Sequence, residues 1–125
     1  MIMKIEVSNG EIIDKLTILQ IKLERIKDAS KLKNLKKEYD NLVKVTTSIM
    51  SIADPLFKSL YDVNCELWDI EDHIRDLERE QDFGKDFIST ARLVYFKNDK
   101  RAEIKKEINI RTASGLFEEK SYEKY

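Results

Sequence analysis

Residues 7–19, VSNGEIIDKLTIL, join a strand-like lead, a Ser-Asn-Gly corner and the first residues of an apolar helical stripe. Whether this corner is a ligand loop or a helix start decides the fold. Ser8 and Glu11 have the spacing of a capping box, in which the hydroxyl caps a backbone N–H and the carboxylate reaches back. Gly10 permits the tight corner between them. From there Ile12, Leu16, Leu19, Leu23 and Ile26 recur at steps of four, three, four and three, with Ile13 and Ile21 widening the stripe. That is one face of a helix. The corner is therefore read as a strand-to-helix turn.

Upstream, Met3, Ile5 and Val7 alternate with Lys4 and Glu6, which predicts a short strand. A lone strand leaves its backbone unpaired, so it needs a partner. The candidates are the same segment of a second subunit and the C-terminal segment SGLFEEKSY, residues 114–122.

Downstream, Asp28-Ala29-Ser30 reads as a break, with Ser30 as the next cap. Leu32, Leu35, Tyr39, Leu42, Ile49 and Ile52 predict a second helix, weakened by β-branched Val45, Thr46 and Thr47. Asp54-Pro55 is an N-cap followed by proline at the first helical position. The third helix, from about Leu56 to about Glu80, carries the clearest seam: Leu60, Val63, Leu67, Ile70, Ile74 and Leu77. Gly84 interrupts the pattern. Phe87, Ala91 and Val94 predict a fourth helix. Lys97–Asp99 reads as a turn, with Asp99 capping a fifth helix from Lys100 to about Arg111 whose apolar face is Ala102, Ile104 and Ile108. The fold class is thus all-α: a bundle of about five helices, long and antiparallel, plus one short N-terminal strand. Residues 1–125 form a single helical domain.

Composition supports this reading. The chain is 42% hydrophobic and 38% charged, with only three Gly and one Pro, a balance that favours long amphipathic helices. Lys and Arg number 23 against 24 Asp and Glu, so no global basic field exists for nucleic acid. The basic run Lys31–Lys37 reads as a solvated helix face. Cys65 is the sole cysteine, which excludes an intrachain disulfide and a thiolate zinc site; apolar and acidic neighbours mark it as buried and structural. No stretch approaches the roughly 18 apolar residues of a membrane span, and no signal region leads the chain. A cytoplasmic protein without a membrane contact is expected. Long seams favour association, so a homodimer is expected as well.

Two polar clusters stand out. On the third helix, Asp69, Asp72 and Asp76 share a side, with Arg75 and Arg79 beside them. Glu66 and Asp69 form E-x-x-D, the half-pattern with which all-α nucleotide pyrophosphohydrolases hold magnesium. No second half is evident, and a salt-bridged face explains the acids without a metal. His73, the only histidine, stands one turn from Asp69 and reads as a surface residue. Trp68 is placed in the core beside the seam. The second cluster is Arg92, Tyr95, Asn98, Asp99, Arg101, Lys105 and Asn109. Arg101, Lys105 and Asn109 form a stripe at steps of four that, with a free helix start, would hold a phosphate or carboxylate. The simpler expectation is that this stripe pairs with the Asp69, Asp72 and Asp76 face. Arg92, Arg101 and Lys105 also have the residue types of a helical chorismate-mutase-like clamp, without its spacing.

The chain resembles a small uncharacterised domain family of bacteria and their phages. The resemblance spans nearly all of it and rests on SNGEIIDKLTIL (8–19), IKLERI (21–26), LWDIEDHIR (67–75), DFG (82–84), ARLVY (91–95), NDKRAEIKKEIN (98–109) and EEKSY (118–122). It implies a setting near surface-polysaccharide synthesis and carries over no catalytic residue. It does mark Asn9, Asp69, Asp72, Arg75, Arg92, Asn98, Asp99 and Arg101 as parts of one pattern, hence a shared polar pocket. Two function classes follow. The first is a non-enzymatic, self-associating protein-interaction or accessory module that needs no cofactor. The second is a magnesium-dependent all-α enzyme acting on a phosphorylated or anionic small molecule. Their shared ligand candidates are Asp69, Asp72, Arg75, Arg92, Asn98, Asp99, Arg101 and Lys105, with Glu66 and Asp69 for the metal.

Overall fold

The structure, a computed structural model, describes all 125 residues. Four α-helices follow one another: α1 Asn9–Arg25, α2 Ala29–Thr46, α3 Pro55–Arg79 and α4 Lys85–Arg111. Short side chains begin three of them. Ser8 Oγ accepts from Glu11 N–H at 3.2 Å, Asp28 accepts from Ser30 and Lys31 N–H at 2.9 and 3.1 Å, and Asp54 accepts from Leu56 N–H at 2.9 Å with Pro55 behind it. The cap of α2 is thus Asp28 rather than Ser30.

Three expectations are corrected. Within one chain the segment Met1–Val7 forms no strand, because neither the tail nor any other segment of the chain pairs with it. Ile49 and Ile52 lie beyond α2, which stops at Thr46 within the β-branched run. The expected fourth and fifth helices are one helix of 27 residues. No Gly or Pro stands at Lys97–Asp99 to force a break. Asn98 turns its amide back onto Val94 O at 2.9 Å, and Asp99 accepts from the Tyr125 hydroxyl at 2.6 Å. Both polar side chains are satisfied without ending the helix, and their poor propensity costs only tenths of a kcal/mol, up to about 0.7 each.

The ends of α3 and α4 share one device. Gln81 and Ala113 adopt left-handed backbone with φ of 55° and 51°. Asp82 N–H then reaches Leu77 O at 3.0 Å, and Ser114 N–H reaches Asn109 O at 2.9 Å. These are Schellman stops built without glycine. At Ala113 the side chain is exposed and makes no polar contact. Ala113→Gly is therefore expected to stabilise the chain by about 0.5–1 kcal/mol, because glycine accepts this conformation without the Cβ penalty. A urea midpoint that rises at constant slope checks it.

The buried core joins Ile13 and Leu16 of α1, Met50, Phe57, Leu60 and Val63, and Ile104 and Ile108 of α4; Tyr39, Leu42 and Val43 of α2 close over it. α3 and α4 pack most extensively, α1 packs on all three other helices, and α2 approaches only α1. The strongest seam residues, Leu60, Val63, Ile70 and Leu77, are all buried within one chain. No helix is long and apolar enough to cross a membrane.

Candidate functional site

Because α1 is surrounded, a second face of it is buried. Gly10, Asp14, Thr17 and Ile21 step by four, three and four, parallel to the apolar stripe, and all four are buried. Asp14 is 1% exposed, and it meets Arg101 of α4. The guanidinium donates from Nε to Asp14 Oδ1 at 2.9 Å and from a terminal nitrogen to Oδ2 at 2.5 Å. Asn64 of α3 donates its amide to Asp14 at 3.0 Å and to Thr17 Oγ1 at 2.8 Å, and Thr17 donates back to Asp14 O at 2.7 Å. One carboxylate thus ties three helices. Its hydrogen bond holds the Arg101 pKa above the ordinary arginine value, against the opposing effect of burial.

The rest of the α4 stripe also faces α1. Lys105 Nζ donates to Glu11 at 2.7 Å and to Glu118 of the tail at 2.8 Å. Burial works against its charge, and these two carboxylates overcome that and raise its pKa. Asn109 Oδ1 accepts from Gly10 N–H at 2.6 Å. Pairs 14–101, 11–105 and 10–109 run in opposite senses along the chain, so α1 and α4 are antiparallel. The first turn of α1 has no open N–H. Asn9, Gly10 and Glu11 donate to Ser114 Oγ, Asn109 Oδ1 and Ser8 Oγ. Glu11 has left the capping box for Lys105, and the Asn9 amide is held by Thr112 Oγ1 at 3.0 Å. The Ser-Asn-Gly corner is therefore a latch between α1 and the end of α4.

The expected pairing of this stripe with the α3 acids does not occur. Asp69 pairs with Arg25 at 2.5 Å and Asp76 with Arg79, while Glu66 pairs with Lys97 at 2.5 Å. Asp72 has no partner. His73 faces Asp86 at 3.0 Å rather than Asp69. Arg92 lies over the Phe96 ring. The free helix start expected at Lys100 does not exist, since α4 is continuous there.

What the bundle does leave open is a cleft of about 540 Å³ between α1, α3 and α4. Arg101 forms part of its floor with Asn64. Asn98 of α4 and Asp72, Glu71 and Arg75 of α3 provide polar walls; Ile18, Ile21, Leu67 and Trp68 provide apolar ones. Trp68 is half-buried on this wall instead of in the core, with the Arg25 guanidinium 5.9 Å from its ring centroid. Cys65 is likewise only half-buried. Of the eight ligand candidates, Asp72, Arg75, Asn98 and Arg101 converge here. Asp69, Arg92, Asp99 and Lys105 do not. Asp14, Asn64 and Trp68 are the members that sequence reasoning missed. An acid four residues after Gly10 on a Gly-x-x-x-Asp-x-x-Thr-x-x-x-Ile face is the available signal for Asp14.

Residues 3–125 match the family described as "Family of unknown function (DUF6165)". The chain belongs to this family. No curated protein and no solved structure matches it. For this DUF6165 chain the site must therefore be read from its own chemistry. Among the charges at the cleft, Arg75 pairs with Glu71 at 3.3 Å and Arg101 with Asp14, which leaves Asp72 as the one unpaired charge on the wall. Asp72 has no bond within the chain. Arg101 keeps one terminal nitrogen unbound, Asn98 keeps its amide oxygen, and the Trp68 indole N–H has no protein acceptor. The cleft thus offers both free donors and free acceptors beside one aromatic side chain.

Proposed function

We propose that the chain is an accessory module that recognises a neutral sugar unit in the α1–α3–α4 cleft. The observation that carries this reading is the cleft wall beside Trp68, whose two guanidiniums are already paired and whose one unpaired charge is Asp72. An indole face suits the C–H surface of a pyranose. Asp72, Asn98 and the free nitrogen of Arg101 suit its hydroxyls, accepting and donating in turn. A phosphate would bring about −1.5 to −2 charge beside the unpaired Asp72, while Arg75 and Arg101 are already matched by Glu71 and Asp14. For the magnesium alternative, the E-x-x-D pair is spent: Glu66 on Lys97 and Asp69 on Arg25. A sugar-recognising accessory role also agrees with the surface-polysaccharide setting that the family resemblance implies.

Trp68 is the only tryptophan, so its emission reports on the cleft alone. Titration with neutral hexoses and N-acetylhexosamines is expected to give a saturable emission shift. Asp72→Asn is expected to weaken that binding about tenfold or more, as loss of a charged acceptor does, with the urea midpoint unchanged because Asp72 is exposed. Saturation only by sugar phosphates or nucleotides with Mg²⁺ would favour the enzyme instead. No response to any of these ligands would end the cleft reading.

A further inference from the structure

The N-terminal segment is an apolar stretch with no place in the bundle. Met3, Ile5 and Val7 are 78%, 84% and 38% exposed, and neither Lys4 nor Glu6 has an ion-pair partner in the chain. We infer that this segment pairs with the same segment of a second copy, as a two-stranded antiparallel ribbon centred on Ile5. The occupant and the register both follow from charge. Centred on Ile5, the pairing sets Lys4 opposite Glu6 of the other copy twice over, and Met3 opposite Val7 twice over. Centred on Lys4 or on Glu6, it would set like charges opposite each other, as an in-register parallel pair also would. A slip of one residue would put Lys4 opposite Ile5 and mix polar with apolar on both faces. Only one register therefore satisfies side chains on both faces, and it is two-fold symmetric, as a closed dimer requires.

The ribbon gathers Met3, Ile5 and Val7 of both copies on one face. That face has somewhere to go. Val7 shares a groove with Leu116, which is 44% exposed and precedes the half-exposed Phe117. In the symmetric pair, Met3 of the second copy lies opposite Val7, at the edge of this groove. A bare two-stranded ribbon is marginal in water, and Leu116 beside Val7 adds an apolar contact to it. The inference is independent of the cleft, which lies among α1, α3 and α4.

Light scattering of the full chain over a range of concentrations is expected to show monomers giving way to dimers. Lys4→Glu and Glu6→Lys, made singly, each create two like-charge pairs and are expected to weaken dimerisation about tenfold. The double variant Lys4→Glu with Glu6→Lys restores both opposite pairs and is expected to recover it. Register is read by cross-linking in a Cys65→Ser background with oxidised glutathione. Ile5→Cys is expected to give a covalent dimer, since residues directly opposite lie within disulfide reach. Lys4→Cys alone is expected to give none, because its own counterpart lies on the diagonal about 7–8 Å away, whereas a mixture with Glu6→Cys cross-links. A monomer at every concentration up to about 1 mM overturns the inference. So does a dimer that ignores both charge reversals.

Discussion

Arg101→Met is expected to cost the fold about 3–5 kcal/mol, the range for removing one partner of a buried ion pair. The loss falls on Asp14, which is 1% exposed and would keep a single side-chain donor, the Asn64 amide. A carboxylate cannot leave α1 to find water. The reverse change is milder. Asp14→Asn leaves a guanidinium whose side chain is 27% exposed at the cleft floor, and it can turn toward solvent. About 1–3 kcal/mol is expected there, the cost of unsatisfied hydrogen bonds. The inequality between the two variants is the test, since a simple loss of packing would give no such order. Asp14→Leu combined with Arg101→Met should recover most of the stability, because replacing both charges with apolar groups removes the desolvation penalty. Urea unfolding with constant slope reads all three. If Arg101→Met lies within about 1 kcal/mol of the parent chain, the pair is not the tie between α1 and α4 described above.

Gly10→Ala is the second large effect, and its sign is a contest. Alanine gains about 0.4–1 kcal/mol by restricting the unfolded chain. Against that, its Cβ would lie 2.5 Å from Lys105 O and 3.0 Å from Asn109 Oδ1. Ordinary contact needs roughly 3.5 Å, and the nearest atom is helical backbone that cannot swing aside. α1 must back away from α4, which also strains the 2.6 Å bond from Gly10 N–H to Asn109. Overpacking of about 1–3 kcal/mol plus about 1 kcal/mol for the bond outweighs the gain, and a net loss of about 1–3.5 kcal/mol is expected. Asn109→Ala removes the bond without the clash and should cost less than Gly10→Ala. Equal losses would place the whole effect in the hydrogen bond. A stabilised Gly10→Ala would show that α1 and α4 do not approach closely there.

These two residues show where the sequence was legible. Gly10 was read as a tight corner, and the corner is real. Its second duty, letting two helices touch, belongs to α4, ninety-nine positions away. The stripe Arg101, Lys105, Asn109 was visible from its spacing, but spacing says nothing about which helix it faces. From sequence alone the α3 acids are its natural match, because opposite charges stand there. Packing instead turned it to Glu11 and Asp14. The α3 acids found Arg25 and Arg79 at the surface, where such pairs contribute little.

Within single helices, local physics was enough. Caps at Ser8 and Asp54 and the seam Leu60 to Leu77 each involve neighbours within a few residues. The sequence by itself therefore determined that the chain is helical, where most helices start, and which stripes are apolar. Only the tertiary structure decided that α4 is unbroken, that Asp14 is buried, and that Trp68 walls a cleft. The reason is range. Capping and periodicity act over one or two turns, while the partner of a buried charge, and the gap left between three helices, depend on how whole helices pack.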